Sequence, residues 1–320
     1  MKKNIYFLGF LLLAACANDD EPTGQQVQNT YPLTIEVTEN PLIPDGEEGS
    51  STRAAITDNS SFATFYLNYK YGNYYPEDDD AVANDKQTLS KTSETWSGGS
   101  WPNPAVYPNY EVNWFAYTDG IFHFTDDNSH KAYINCVSDE FSSGQKDLLV
   151  ATASGTYTGT NNGTLSFTFN HVCSAVRFQV KKSSNLGEHS LTVSSIVLKN
   201  VVKHGKYYYD TDTGYWELIT TEASDFTDYT LYSGNDKTIT SSYTCLNGTN
   251  EDNSYLFLIP QELKGDVSSG TYVEIAWKSN YGSNESGTAK IPLPKELKKG
   301  HRHDIKISIG TTTLTTHSGY

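Results

Sequence analysis

Residues 165–180 alternate apolar and polar side chains so regularly that a half-buried β-strand is the structure they fit. Leu165, Phe167, Phe169 and His171 fall on one face, with Ser166, Thr168 and Asn170 on the other. Val176, Phe178 and Val180 resume the alternation in the opposite phase, which is read as a β-bulge at Ser174. A helix would scatter these side chains around its surface. The same period sets Leu33, Ile35 and Val37 against Thr34, Glu36 and Thr38. Segments 62–69, 110–117, 132–137, 148–153, 191–198, 255–259, 272–277, 288–293 and 303–309 are strands by the same reasoning, set off by Gly, Pro, Asn or Asp. Segments 206–209 and 215–218 flank Asp210-Thr211-Asp212-Thr213-Gly214 and are predicted to form a hairpin. The 23 Tyr, 24 Gly and 11 Pro, against a single Met, fit strands joined by turns rather than a helical bundle. The expected fold is all-β, with two tandem antiparallel β-sandwich domains that divide just before Leu165.

The first residues describe export rather than folding. Lys2 and Lys3 precede an apolar run over residues 5–13, too short for a mature transmembrane helix, which ends in Ala14, Ala15 and Cys16. Leu13-Ala14-Ala15-Cys16 resembles the lipobox of bacterial lipoproteins. That resemblance implies loss of the signal peptide, residues 1–15, and an outer-membrane anchor through lipid on Cys16. Asn18, Asp19, Asp20 and Glu21 look like the sorting signal of surface-exposed lipoproteins. Residues 17–30 are too polar to bury a core and read as a tether. After the strand at Leu33, Ile35 and Val37, a Pro-, Gly- and Glu-containing loop over residues 40–51 leads to Thr52-Arg53-Ala54-Ala55. The division expected is a signal peptide, 1–15; a tether with the first strand, 16–53; and two sandwiches, 54–163 and 164–320.

Acidic residues outnumber basic ones, 38 to 23, giving a net charge of −15 that excludes a nucleic-acid partner. Cys136, Cys173 and Cys245 have no CxxC spacing, allow one disulfide at most, and read as buried free thiols. Asp78, Asp79 and Asp80 sit in a loop with no opposing carboxylate to make a glycosidase pair. Asp210, Asp212 and Gly214 miss the calcium-loop pattern and are explained by turn chemistry. His301 and His303 share a strand face, but no third zinc ligand accompanies them. His171, on an apolar face, reads as a core histidine with a hydrogen-bonded ring nitrogen. No G-x-S-x-G, phosphate-binding glycine loop or H-E-x-x-H is present, so no catalytic residue, cofactor or metal is assigned. Trp96 and Trp101 flank Ser97-Gly98-Gly99-Ser100; with Tyr107 and Tyr110 they form either a sugar-stacking platform or part of a core.

The order of several segments resembles the fimbrillins, lipoprotein precursors of protease-matured pili. The residues concerned are the Cys16 lipobox, Thr52-Arg53, the stretch from Trp96 to Pro102, Trp114-Phe115-Ala116-Tyr117 and Asp147-Leu148-Leu149-Val150-Ala151. Phe169-Asn170-His171, Ala175-Val176-Arg177-Phe178, Leu258-Ile259-Pro260-Gln261 and the closing strand from Lys299-Gly300-His301 complete the series. The resemblance implies sandwiches of the transthyretin-like, Greek-key type and a structural, non-enzymatic subunit. It also implies export by the lipoprotein machinery and cleavage between Arg53 and Ala54 by a trypsin-like surface protease, which would remove Leu33, Ile35 and Val37. The opened groove would accept a strand from another fimbrillin subunit in a head-to-tail, donor-strand polymer. Adhesion to a host protein or glycan is the implied role. The donor is sought at Ile305, Ile307, Ile309 and Leu314, although residues 310–320 reach only about 36–40 Å when extended. The alternative is an anchored glycan-binding lipoprotein that uses Trp96, Trp101 and Trp216 and does not polymerise.

Overall fold

The computed structural model describes residues 32–44, 62–71, 86–102, 111–127, 131–138, 147–156, 164–209, 214–246, 255–281, 285–293 and 295–310, and the backbone of Thr315–Ser318. In chain order the first strands are β1 (Ile35–Glu39), β2 (Ile43–Pro44), β3 (Thr64–Tyr71), β4 (Gln87–Thr92), β5 (Thr95–Ser97) and β6 (Glu111–Tyr117). Then come β7 (Ile121–Phe124), β8 (Ala132–Val137), β9 (Leu149–Thr156), β10 (Leu165–His171), β11 (Ser174–Lys182) and β12 (Leu191–Val202). After these lie β13 (His204–Tyr208), β14 (Tyr215–Leu218), β15 (Phe226–Thr238), β16 (Thr244–Cys245), β17 (Leu256–Leu258) and β18 (Glu262–Leu263). The last are β19 (Tyr272–Ser279), β20 (Ser286–Pro292), β21 (Lys295–Glu296), β22 (His301–Ile309) and β23 (Thr315–Ser318). The chain is all-β: the only helical turns among the described residues are the short 3-10 segments Ser184–Leu186 and Ala223–Asp225.

One body is built on a seven-stranded sheet in the order β1-β10-β9-β6-β3-β4-β5. Alternation along β6 gives this sheet two apolar faces. Trp114 and Ala116 join Phe65, Leu67, Leu89, Phe167 and Phe169 in one core. Phe115 and Tyr117 point the other way, into a second core with Phe122, Ile134, Val150 and Tyr207. That second core is covered by the four-stranded sheet β14-β13-β8-β7. The first is enclosed by the sheet's own curvature, because its two edges meet: Pro32 bridges Ser100, and the Leu33 N–H donates to Gly99 O at 3.1 Å. This contact joins the two edges at one end only, and along Ile35–Glu39 β1 is paired with β10 alone.

The other body packs β15-β12-β19-β20 against a sheet ordered β16-β11-β22-β2, to which β17 adds at β11 and β23 at β22. Its core contains Val176, Phe178 and Val180 from β11, Ile196 and Leu198 from β12, Val273 and Ile275 from β19, and Ile305, Ile307 and Ile309 from β22.

The phase change near Ser174 has a different origin from the expected bulge. β10 ends at His171, residues 172–173 cross over, and Ser174 opens β11 in the other body's sheet. Each strand keeps its own alternation, and the face flips because the chain changes sheets. The boundary expected between residues 163 and 164 consequently falls between β9 and β10, which pair through Asn170↔Val150 and His171↔Leu149. The predicted hairpin is present, with Tyr208 opposite Tyr215, but β13 also pairs with β8, Tyr208 opposite Tyr133. Residues on both sides of position 164 thus build the first body. The hairpin β4–β5 and the far half of β15 carried little pattern in the sequence: Leu89 is the one buried residue of β4, and of the last seven residues of β15 only Tyr232 is half-buried, the rest being exposed.

Candidate functional site

The strand β1 occupies a seam. Its register on β10 is parallel, running from Ile35↔Leu165 to Glu39↔Phe169, in a sheet whose other pairings are antiparallel. The Leu165 N–H donates to Thr34 O at 2.9 Å, and the Asn40 N–H donates to Phe169 O at 2.9 Å. Outward side chains pair across the same ladder: Thr38 Oγ1 donates to Thr168 Oγ1 at 3.1 Å, and Asn40 Nδ2 to Asn170 Oδ1 at 2.8 Å. Inward, Leu33 is buried, and Ile35 and Val37 pack half-buried on the core of Phe65, Phe167 and Phe169. A Cβ on Gly99 would lie 2.9 Å from Leu33 Cδ1 and 3.2 Å from Leu89 Cδ2, so glycine is what lets Leu33 seat in the seam. Further along, β2 adds to the edge of β22 in the other body, Ile43↔His301 and Pro44↔Arg302, and the Ile43 N–H donates to Gly300 O at 2.9 Å. One short stretch of chain therefore completes a sheet in each body.

At the inner end of β1 lies a group of charges. Glu39 continues the inward row of Leu33, Ile35 and Val37, and His171 continues the row of Leu165, Phe167 and Phe169. His171 Nε2 faces Glu39 Oε1 at 3.3 Å, while Nδ1 is hydrogen-bonded to Asp147 Oδ2. The three side chains are 8–11% exposed, so water screens the array little. Burial of the imidazole disfavours its charge, but hydrogen bonds to Asp147 and Glu39, and the charges of both carboxylates, outweigh that and push its pKa up to about 9. Burial raises the Asp147 carboxyl, and the hydrogen bond from His171 pulls it partly back. The Cys173 thiol, buried against Asp147, is pushed well above its ordinary range by burial. At neutral pH the imidazolium donates from both nitrogens, one to the β9 side of the sheet and one to β1.

The predicted site residues separate into groups. Leu33, just ahead of β1, and Ile35 and Val37 on it come together on the seam. Ile305, Ile307 and Ile309 are buried in the core of the second body on β22, which is paired with β11 on one side and with β2 and β23 on the other. Cys16, Arg53, Ala54 and Leu314 lie outside the described residues, as do Asp78, Asp79, Asp80, Asp210, Asp212, Tyr107 and Tyr110. No disulfide joins Cys136, Cys173 and Cys245; Cys173 is buried as expected of all three, whereas Cys136 and Cys245 are half-buried. His303 is fully buried, and its Nε2 accepts the Lys298 N–H at 3.1 Å; His301 Nδ1 bonds Lys299 O at 2.9 Å. Among the described residues no group of three or more His, Cys, Asp or Glu forms a metal-binding cluster.

Among the described residues the tryptophans assigned to an aromatic platform are packed or hydrogen-bonded within the protein. Trp101 is buried against Trp114, with ring centroids 5.8 Å apart; Trp96 packs on Phe65; and Trp216 donates its Nε1–H to Val172 O at 2.7 Å beneath the hairpin. What sequence reasoning overlooked is Glu39 and Asp147. The available signal was that both inward rows end in a titratable residue, Glu39 on one strand and His171 on the other. Asp147 gave no periodic signal, because it lies just outside β9.

Residues 52–319 match the family described as fimbrillin-like. The fold is similar to the crystal structure of a fimbrial protein from Bacteroides vulgatus ATCC 8482, with a TM-score of 0.58 and 19% identity, over 90% of this chain and 98% of that one. It is also similar to a protein from Bacteroides ovatus ATCC 8483 proposed to act in cell adhesion, with a TM-score of 0.51 and 12% identity, over 91% of this chain and 96% of that one. Among curated proteins none matches at a significant level. The family match takes in both bodies and all but the first part of the sequence, and on that match the chain belongs to the fimbrillin-like family.

Proposed function

We propose that this chain is a structural pilus subunit whose residues 16–53 form a removable pro-segment: exported as a lipoprotein through Cys16, cut between Arg53 and Ala54, and joined to other subunits by strand donation. The observation that carries this reading is β1 at the end of the first sheet, a parallel strand laddered on β10 alone, with residues 32–33 just ahead of it reaching the opposite edge at residues 99–100. Taking it away uncovers the groove that holds Leu33, Ile35 and Val37, at about 1.5–3 kcal/mol for each fully uncovered side chain, and less for the two half-buried ones. It also exposes the edge of β10, which favours pairing with another strand. The same cut takes β2 from the edge of β22, so the vacated path extends from one body to the other.

A donated strand makes a heterologous contact, and repetition of such a contact generates a filament rather than a closed ring. As donor, β22 is disfavoured, because extracting Ile305, Ile307 and Ile309 would open the second core. The tail beyond Ile309, with Leu314 and the edge strand β23, is the segment that can leave at lower cost. A structural rather than catalytic role agrees with the state of its most reactive groups, since both His171 nitrogens face carboxylates and Cys173 is buried. Adhesion is the proposed role of the assembled filament. The anchored glycan-binding alternative is weakened by the burial of Trp101 and the tied ring of Trp216.

The test is the intact mass and amino-terminal sequence of the protein taken from its own cells, in monomeric and polymeric fractions. An Ala54 start in polymer, with lipidated Cys16 in monomer, is expected. Polymer in which every copy keeps Cys16 would overturn assembly by cleavage.

A further inference from the structure

The array of Glu39, His171 and Asp147 is divided between a strand that would leave and two residues that would stay. With β1 gone, His171 Nε2 loses the acceptor 3.3 Å away, while Nδ1 remains held by Asp147. The floor of the vacated groove then combines an apolar stretch lined by Phe65, Phe167 and Phe169 with one fixed cationic donor at its end.

We propose that the His171–Asp147 pair selects the incoming strand: the groove takes a strand from a different subunit, running parallel to β10, that bears an Asp or Glu two residues beyond its last inward aliphatic side chain. This inference rests on the removal of β1 proposed above and names the chemistry of its replacement. Ile35, Val37 and Glu39 show the pattern that satisfies the site. An apolar residue at the third position would leave a buried imidazolium with an unmet donor, and an amide would meet it without charge. Aliphatic alternation alone tolerates a slip of two residues, which keeps the same face inward. The carboxylate does not, because such a slip moves it about 7 Å from His171.

A copy of this chain is a poor occupant, since residues 305–320 contain neither Asp nor Glu. In the row of Ile305, Ile307 and Ile309, the position equivalent to Glu39 is Thr311. The titratable groups that bear on the imidazole are Glu39 from β1, Asp147 ahead of β9 and, through Asp147, Cys173 after β10; Cys136 on β8 acts on that thiol. Selection by charge should therefore weaken in alkali.

The experiment uses the full chain cut after Arg53 by limited trypsin digestion, with the cut confirmed by mass, in the presence of fluorescent peptides. The peptides are residues 32–44 as they stand, the same peptide carrying E39Q, and residues 305–320. Fluorescence anisotropy should show the native peptide binding about tenfold or more tightly than the E39Q peptide at pH 7. The tail peptide should bind no better than E39Q, and the preference should shrink at pH 10 and in H171Q protein. The pH and E39Q arms need no protein variant, so they decide the matter even where H171Q folds poorly. If E39Q or the tail peptide binds within twofold of the native peptide at pH 7, the selection is wrong while strand replacement stands. If no peptide enters and the cut pro-segment stays bound, strand replacement itself fails and the selection with it.

Discussion

Glu36 and Glu39 lie three residues apart on one strand and meet opposite environments: Glu36 faces solvent, and Glu39 is buried against His171. The period of two puts them on different faces, and the cost of burying Glu39 is offset by an imidazolium held on its other side by Asp147. His171 has its ordinary pKa of 6.5 raised to about 9 in the folded protein. The stability this lends is full below about pH 6.5. It is lost as pH rises through 9, because the unfolded chain gives up the proton first. We expect thermal and urea stability of the uncut protein to fall by about 3 kcal/mol across that window, and the fall to flatten in H171Q. Comparison with H171Q separates the imidazole from the Cys173 thiol. At neutral pH, H171L should cost about 3–5 kcal/mol in urea unfolding, because two buried carboxylates lose their shared partner. The double variant E39Q/H171Q should be less destabilised than the sum of its single changes. At Gly99, G99V should cost about 1–3 kcal/mol in the uncut protein by crowding Leu33, and less once the pro-segment is gone.

At the scale of elements, β1 and β22 are both apolar strands in parallel pairings, yet only β1 is proposed to leave. β22 is flanked on both sides within its sheet and buries Ile305, Ile307 and Ile309. β1 forms a continuous ladder with β10 alone, touches the opposite edge only at residues 32–33, and leaves Ile35 and Val37 half-buried. A charge on the inward row should therefore release β1 and leave the rest folded. I35D and V37D are each expected to increase amide exchange in β10 and at Leu33, whose N–H donates to Gly99 O, by tenfold or more, an opening made easier by about 1.5 kcal/mol, with β12 and β19 unchanged. Hydrogen exchange read by mass spectrometry checks this, and equal acceleration in the second body would show β1 to be part of the global fold.

At the scale of the molecule, the chain crosses between its two bodies repeatedly. β10 and β11 adjoin in sequence but lie in different sheets, as do β12 and β13. Side chains add to these crossings: Tyr229 OH donates to Ser138 O at 3.1 Å, and Ser138 Oγ to Phe257 O at 2.9 Å. Residues 54–163 expressed alone would lack β10, β13 and β14, leaving Phe115, Phe122 and Ile134 without part of their cover. We expect that fragment to be unfolded or aggregated by circular dichroism and gel filtration. A fragment that also carries residues 164–218 should recover more native signal than any cut near 163.

The sequence by itself determined the strands, the turns and which side chains face inward. Period-two alternation follows from backbone geometry and needs no knowledge of neighbours: β10 reads Leu165, Phe167, Phe169 in the sequence and buries those three in the structure. The row of Leu33, Ile35 and Val37 was legible for the same reason, and so was the hairpin at Tyr208 and Tyr215. The far half of the edge strand β15 was not, because beyond Leu231 it buries no side chain and keeps no alternation. Pairing partners belong to the tertiary structure alone. An inward face records that a core exists, not which sheet supplies the other half. A flip of phase at Ser174 therefore reads equally well as a bulge within one strand or as the step from one sheet to another. The array at His171 was hidden for that reason: Glu39, Asp147 and His171 are separated by up to 132 positions in the chain, and it is the parallel register of β1 on β10 that brings Glu39, and the antiparallel pairing of β9 with β10 that brings Asp147, to His171.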